Sequence, residues 1–251
     1  MSFKQIAILL LFLMSYSTAL PQENERDMLF EKEGYTFPYR LNNPDKTWKL
    51  PKELVEISGL SYLEKHRLAC VQDEKGNIYI FNTKSEEVEE KIGFGEKGDY
   101  EGIEIVGNDA WVLKSNGTLY RIMDFPKDNN PKVHKYKTAL SGRNNCEGLG
   151  YDPAGHNLLI ACKGYPFTKN NNRPDAGEYK AVFRFDLKTR QLHEAPVLLI
   201  ALDSMKQYKN YNSMTSLGIE LLAFFDAAEG DVSFQPSGIA VHPQTGNIYV
   251  L

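Results

Sequence analysis

Four short segments of this chain open on the same step, a Ser or Glu followed by Gly and then an aliphatic residue. They are Ser58-Gly59-Leu60, Glu101-Gly102-Ile103, Glu147-Gly148-Leu149 and Ser237-Gly238-Ile239. The first three are each followed by a second apolar run, at 67–71, 110–113 and 157–162. In the first two, a third run follows behind a glycine, Gly76 or Gly117. A repeat of this kind constrains the fold more than any local propensity, because each unit must bury its apolar surface against its neighbours.

The marker glycines Gly59, Gly102, Gly148 and Gly238 are spaced by 43, 46 and 90 residues. Four short antiparallel strands in every 40 to 50 residues is roughly the period of a propeller blade. The first repeat gives runs at 56–62, 67–72, 77–82 and 88–92, and the second at 102–106, 110–113, 118–123 and 132–137. The third gives 148–151, 157–162, 181–187 and 197–201, and the fourth opens at Ser237. Alternation along 77–82 is only partial, so these strands are expected to be buried on both faces. The long third interval holds two insertions, an Asn/Pro/Gly-rich loop at 164–179 and a segment at 203–235 whose run 217–225 reads equally as a helical turn or a strand. The fold class expected is all-β, a β-propeller of four-stranded antiparallel blades, with three complete blades and part of a fourth. The alternative for the same strands is a two-sheet sandwich. Three and a part do not close a ring, so the chain is expected to be the N-terminal portion of a protein of five or six blades. Residues 35–41 or 48–50 would then supply an outer strand to the last blade.

The first 19 residues read as an export signal: Lys4, an apolar core at 6–14, and the small residues Ser17, Thr18 and Ala19 at a cleavage site. An uncleaved anchor is the alternative. Residues 20–34 are a polar lead-in, and the propeller domain is expected over 35–251. With 251 residues and a net charge of −4, the chain has no basic surface suited to nucleic acid. At most a peripheral association with the plasma membrane is expected, and a monomer. Three cysteines, Cys70, Cys146 and Cys162, cannot all pair. Cys70 and Cys162 fall in equivalent second runs and read as small buried residues. A Cys146–Cys162 bridge is conceivable in an oxidising compartment.

The first run of each repeat is the candidate innermost strand, and this puts Glu56, Glu101 and Glu147 near the axis, with Ser58 and Ser237 at equivalent steps. Such carboxylates read as oxygen ligands for calcium, or as acceptors of backbone amides that lock one blade to the next. The second reading is favoured, because calcium sites usually bring further Asp or Asn at short spacing. A second candidate set is assigned to the channel rim: Asp73 and Lys114, each three residues before a glycine, Lys163 at the corresponding place in the third repeat, and Asn144. As a mixed rim it would bind an anionic small molecule; as solvated turns it would make weak ion pairs. The histidines, including His156 and His242, sit beside turns. Asn116-Gly117-Thr118 matches a glycosylation acceptor but reads more simply as a hairpin turn. No nucleophile elbow, phosphate loop or zinc-protease motif is present.

The four marker steps, with the entry at 50–60, the step Gly98-Asp99-Tyr100-Glu101 and the run Asn144 to Pro153, resemble the SdiA-regulated family of bacterial envelope proteins. The resemblance covers about 35–251 and implies a β-propeller at the cell envelope with no settled activity. Taken together, the expected function is a non-catalytic propeller of the periplasm or envelope that binds a small molecule, a glycan or a protein. The alternatives are a calcium-dependent hydrolase of phytase-like or lactonase-like kind, with calcium on Glu101 and Glu147, and a structural scaffold.

Overall fold

In the computed structural model, residues 44–127, 130–171, 173–206 and 234–251 are described. The expected export signal and lead-in, residues 35–41 and the run 217–225 lie outside them. The blades belong to the unit Trp48–Leu251.

The first blade is formed by β1 (Ile57–Glu64), β2 (Arg67–Gln72), β3 (Asn77–Asn82) and β4 (Glu87–Gly93), joined in that order into one antiparallel sheet. The second is β5 (Tyr100–Val106), β6 (Asp109–Lys114), β7 (Leu119–Ile122) and β8 (Val133–Tyr136), again in sequence order. The third is β9 (Cys146–Asp152), β10 (Asn157–Cys162) and β11 (Tyr179–Asp186), whose outer position is shared by β12 (Gln191–Leu192) and β13 (Leu198–Ala201). Both pair with β11, β12 at its end and β13 at its start, with Pro196 in the interruption between them. A proline has no amide to donate to a ladder, so the break falls on an outer strand, where such gaps are tolerated. A fourth unit begins with β14 (Ile239–Val241) and β15 (Ile248–Val250).

The period of two along each strand sorts its side chains between two neighbours. On β2, Ala69 and Val71 face the second blade, whereas Leu68 and Cys70 face the other way with Leu54, Tyr79 and Phe81. On β6, Ala110 and Val112 point back to the first blade, and Trp111 and Leu113 point on to the third. On β10, Leu158, Ile160 and Cys162 meet the second blade while Leu159 and Ala161 meet Ile239 of the fourth unit. Every middle strand is thus a core strand twice over, as the near-continuous apolar runs imply. These sheets, stacked face on face in chain order, are the blades of a β-propeller.

The innermost strands are β1, β5, β9 and β14, and the marker glycines are where they approach one another. A Cβ on Gly59 would lie 2.8 Å from the Gly102 Cα, one on Gly102 2.7 Å from the Leu149 Cβ, and one on Gly148 3.0 Å from the Gly238 carbonyl carbon. Only a residue without a side chain lets consecutive blades come this close. Polar bonds cross the same seam. Ser58 Oγ donates to the Tyr100 carbonyl at 2.6 Å. The half-buried Glu104 accepts from Ser61 Oγ at 2.8 Å on the first blade and from the Tyr151 amide at 3.2 Å on the third. One carboxylate therefore holds three blades.

The turns follow their chemistry. Asn116 and Gly117, with φ of +78° at Gly117, close the β6–β7 hairpin, and the Asn116 side chain accepts from the Thr118 amide at 3.1 Å. His156 occupies a left-handed turn position, and His242 Nδ1 accepts amides of its own turn, so both are turn residues as expected. Residues 48–50 carry no strand pairing among the described residues, and the last blade they were expected to complete lies outside those residues. Trp48 Nε1 instead donates to the Thr83 carbonyl in the β3–β4 turn at 2.7 Å, and Leu54 in the short 3-10 turn Lys52–Leu54 buries itself on the first blade.

The seam gives a direct expectation. Gly102→Ala should lower stability by about 1–3 kcal/mol, because a methyl there meets backbone as well as side chain. Gly142→Ala, with open space around it, should stay within about 0.5 kcal/mol. Urea midpoints at constant m separate the two.

Candidate functional site

The same marker steps build a site. In β1 the pairing runs from Ile57↔Gln72 to Gly59↔Val71 and skips Ser58. In β5 it runs from Tyr100↔Lys114 to Gly102↔Leu113 and skips Glu101. In β9 it runs from Cys146↔Cys162 to Gly148↔Ala161 and skips Glu147. Each skipped residue is the extra member of a β-bulge, which bends the strand and re-aims one side chain out of the ladder. In the fourth unit, the Ser237 and Gly238 amides both donate to the Leu251 carbonyl, at 2.6 and 3.3 Å. The Ser/Glu-Gly step is therefore a device with two parts. Its first residue is turned out of the sheet, and its glycine admits the next blade.

Those re-aimed residues converge. A cleft of about 400 Å³ is lined by Glu56, Ser58, Asp73, Glu101, Glu147 and Ser237. Ser58, Glu101 and Glu147 arrive from the bulges of three successive blades, and Ser237 from the equivalent step of the fourth unit. Glu56 arrives differently, from two residues before the first bulge; the position equivalent to Glu101 in that blade is Ser58. Asp73 follows β2 and joins them. Its Oδ1 is buried and, among the described residues, has no hydrogen-bond partner.

The charges respond to this crowding. Burial pushes the Glu101 carboxyl from its ordinary 4.5 up to about 8, helped by a hydrogen bond with Asp99 and by the nearby charges of Glu147, Asp99 and Asp73. Carboxylates this close cannot all ionise cheaply. Glu147 is relieved by Lys163, whose Nζ stands 3.4 Å away, and by the Asn145 amide at 2.8 Å. Behind it Lys180 donates to the Lys163 carbonyl, and burial together with the Lys163 charge holds its pKa below the usual lysine range.

The two candidate sets of the sequence thus partly merge. Asp73, and Lys163 through Glu147, belong with the axial carboxylates. Lys114 does not join that ion pair; its ammonium lies over the Tyr100 ring, 5.2 Å from the centroid. Asn144 is buried at 1% exposure and its amide is used up within the protein. It donates to the carbonyls of Tyr165 and Phe167, both at 2.8 Å, and accepts from the Ser141 amide and hydroxyl. All four of its hydrogen-bonding places are filled within the protein, so it anchors the 164–167 loop. The bulges and Glu104 escaped sequence reading. The only signal for Glu104 was a lone carboxylate in an apolar strand run.

Calcium takes six to eight oxygens at once. Among the described residues, no three acidic, His or Cys side chains are placed to hold a metal ion. Glu147 is turned to Lys163 and Glu101 to Asp99, so Glu56, Glu101 and Glu147 share a cleft without forming a ligand set.

Fold and site together define a β-propeller with an acidic axial cleft. No protein-family model and no curated protein matches the chain. Among solved structures it is similar to the glutaminyl cyclase of Myxococcus xanthus, at 14% identity and a TM-score of 0.47 over 77% of this chain and 66% of that one. It is also similar to the β-propeller domain of Myceliophteria thermophila Cps50 (Swd1), at 11% identity and 0.38 over 81% of this chain and 54% of that one. The WD40 domain of Neurospora crassa Pan2 gives 9% and 0.41, over 78% of this chain and 46% of that one. The chain thus spans two thirds or less of these three structures, and at such identities no functional residue transfers.

The raised Glu101 pKa sets a sign. Folding favours the protonated carboxyl, so its contribution is full below the ordinary value of 4.5 and is lost as pH rises through about 8. Glu101→Gln should therefore be more stable than wild type at pH 8.5, by on the order of 1 kcal/mol once solvent screening is allowed for, and unchanged at pH 4. Urea unfolding at the two pH values checks this.

Proposed function

We propose that this chain is a non-catalytic binding propeller that receives the cationic group of a small ligand in its axial cleft. The observation that carries the reading is the Asp73 Oδ1 acceptor, buried and unpartnered among the described residues in a cleft shared with three glutamates. An ammonium supplies what this wall lacks, a charged donor for Asp73 and a counter-charge that lets Glu101 ionise. A binding role is favoured over hydrolysis by the state of the two lining hydroxyls. Ser58 Oγ and Ser237 Oγ each donate to a backbone carbonyl, and among the described residues no histidine lines the cleft to activate them. Export to the bacterial envelope is supported by Lys4, the apolar core at 6–14 and the small residues at 17–19. A place in the SdiA-regulated family is supported by the marker steps.

Calorimetric titration and thermal melting of the purified protein test this, with spermidine as the amine probe and calcium chloride as a separate arm. Spermidine should bind and raise the melting temperature. Asp73→Asn and Glu101→Gln should each weaken binding about tenfold or more, the worth of one charge-assisted hydrogen bond. A response to calcium alone would replace the amine reading with a metal site. Silence in both arms would leave the cleft without the proposed role and favour a scaffold.

A further inference from the structure

The three cysteines are free thiols, and two of them face each other. Cys146 on β9 and Cys162 on β10 are direct cross-strand partners, with their sulfurs 3.7 Å apart. Both are fully buried in the core between the second and third blades, with Trp111, Leu113 and Phe183. Cys70 belongs to a different core, on the far face of the first blade with Tyr79 and Phe81. We propose that Cys146 and Cys162 are a disulfide site that closes when the chain folds in the presence of a disulfide oxidant, and that Cys70 stays reduced.

The geometry permits closure without moving a strand. Directly opposed residues of an antiparallel pair have Cα atoms about 4.5–5.5 Å apart, inside the roughly 4.4–6.8 Å that a disulfide spans. Side-chain rotation has only to bring the sulfurs from 3.7 Å to about 2.05 Å. The bulge at Glu147 is what sets this register: by stepping over one residue it leaves Cys146, and not its neighbour, opposite Cys162.

Burial sets the timing. In the folded state both cysteines are fully buried, out of reach of an external disulfide, and the hydrogen bond with Cys162, and then desolvation, push the Cys146 thiol well above its ordinary pKa. The bridge therefore forms before the second and third blades close over the pair. One cysteine thiolate attacks an external disulfide, forming a mixed disulfide and releasing one external thiolate. The second cysteine thiolate then attacks the mixed disulfide and releases the other. The cysteines lose two electrons, the external disulfide gains them, and the two cysteine protons end on the two external thiols. Glu147 and Lys163 follow the two cysteines directly and form an ion pair of 3.4 Å across the same two strands, so the bridge ties the base of the third blade's share of the cleft.

The test needs neither the cleft's ligand nor the cellular location, so its outcome is independent of the binding proposal. The full chain is unfolded and reduced, then refolded with a mixture of oxidised and reduced glutathione, quenched in acid, alkylated and digested. The expected product is a linked peptide pair containing Cys146 and Cys162, two hydrogens lighter than the sum, with Cys70 alkylated. The thiol count under denaturing conditions should fall from the three of the reduced chain to about one. The oxidised protein should melt roughly 5–10 °C above the reduced one. That gap should persist in Cys70→Ser and vanish in Cys146→Ser. Three alkylated cysteines after oxidative refolding, or a bridge that includes Cys70, would overturn the proposal on the wild-type chain alone, whatever the variants do.

Discussion

Everything in this chain depends on blade faces that cannot be buried within a blade. A single four-stranded sheet leaves two apolar surfaces, and β2, β6 and β10 each divide their side chains between a core before them and a core behind. The faces close only if the inner strands meet nearly backbone to backbone. Gly59, Gly102 and Gly148 make that possible, since each stands where a Cβ would collide with the next unit. The cost of glycine in a strand is set against the burial of residues such as Ile103 and Leu149, which would otherwise face water.

The site is a by-product of the same seam. A strand that must pass close to its neighbour and then enter its own ladder carries a bulge, and the bulge expels one side chain toward the axis. Ser58, Glu101 and Glu147 occupy that place in three blades. The acidic cleft is thus held by backbone hydrogen bonding in each sheet. Its electrostatics come from burial and proximity: one lysine answers Glu147, while the Glu101 carboxyl is pushed up first by burial and then by its hydrogen bond with Asp99 and the neighbouring carboxylates.

Much of this was legible in the residues, and the limits are physical. The runs 67–72, 77–82 and 157–162 coincide with β2, β3 and β10, because continuous apolar stretches between turn residues have few other uses. The marker step located Glu101 and Glu147 near the axis because its period places equivalent residues at equivalent radii. Other features depend on distances between blades, which no local pattern encodes. Asp73 joins the glutamates, Glu104 reaches Ser61 and the Tyr151 amide 43 and 47 residues away, and Asn144 turns inward to hold a loop. The split of the third blade's outer strand escaped because β12 is two residues long, below what periodicity resolves.

Glu104 carries a consequence for how such a protein can change over generations. Its carboxylate takes a hydroxyl from the blade before and an amide from the blade after. A tandem copy of the second blade inserted elsewhere would bring the acid without its donors, at the penalty of an unpaired buried charge. The units look interchangeable by period, yet their sequence of arrangement is fixed at this point. Duplication of the second blade by itself is therefore disfavoured at this seam.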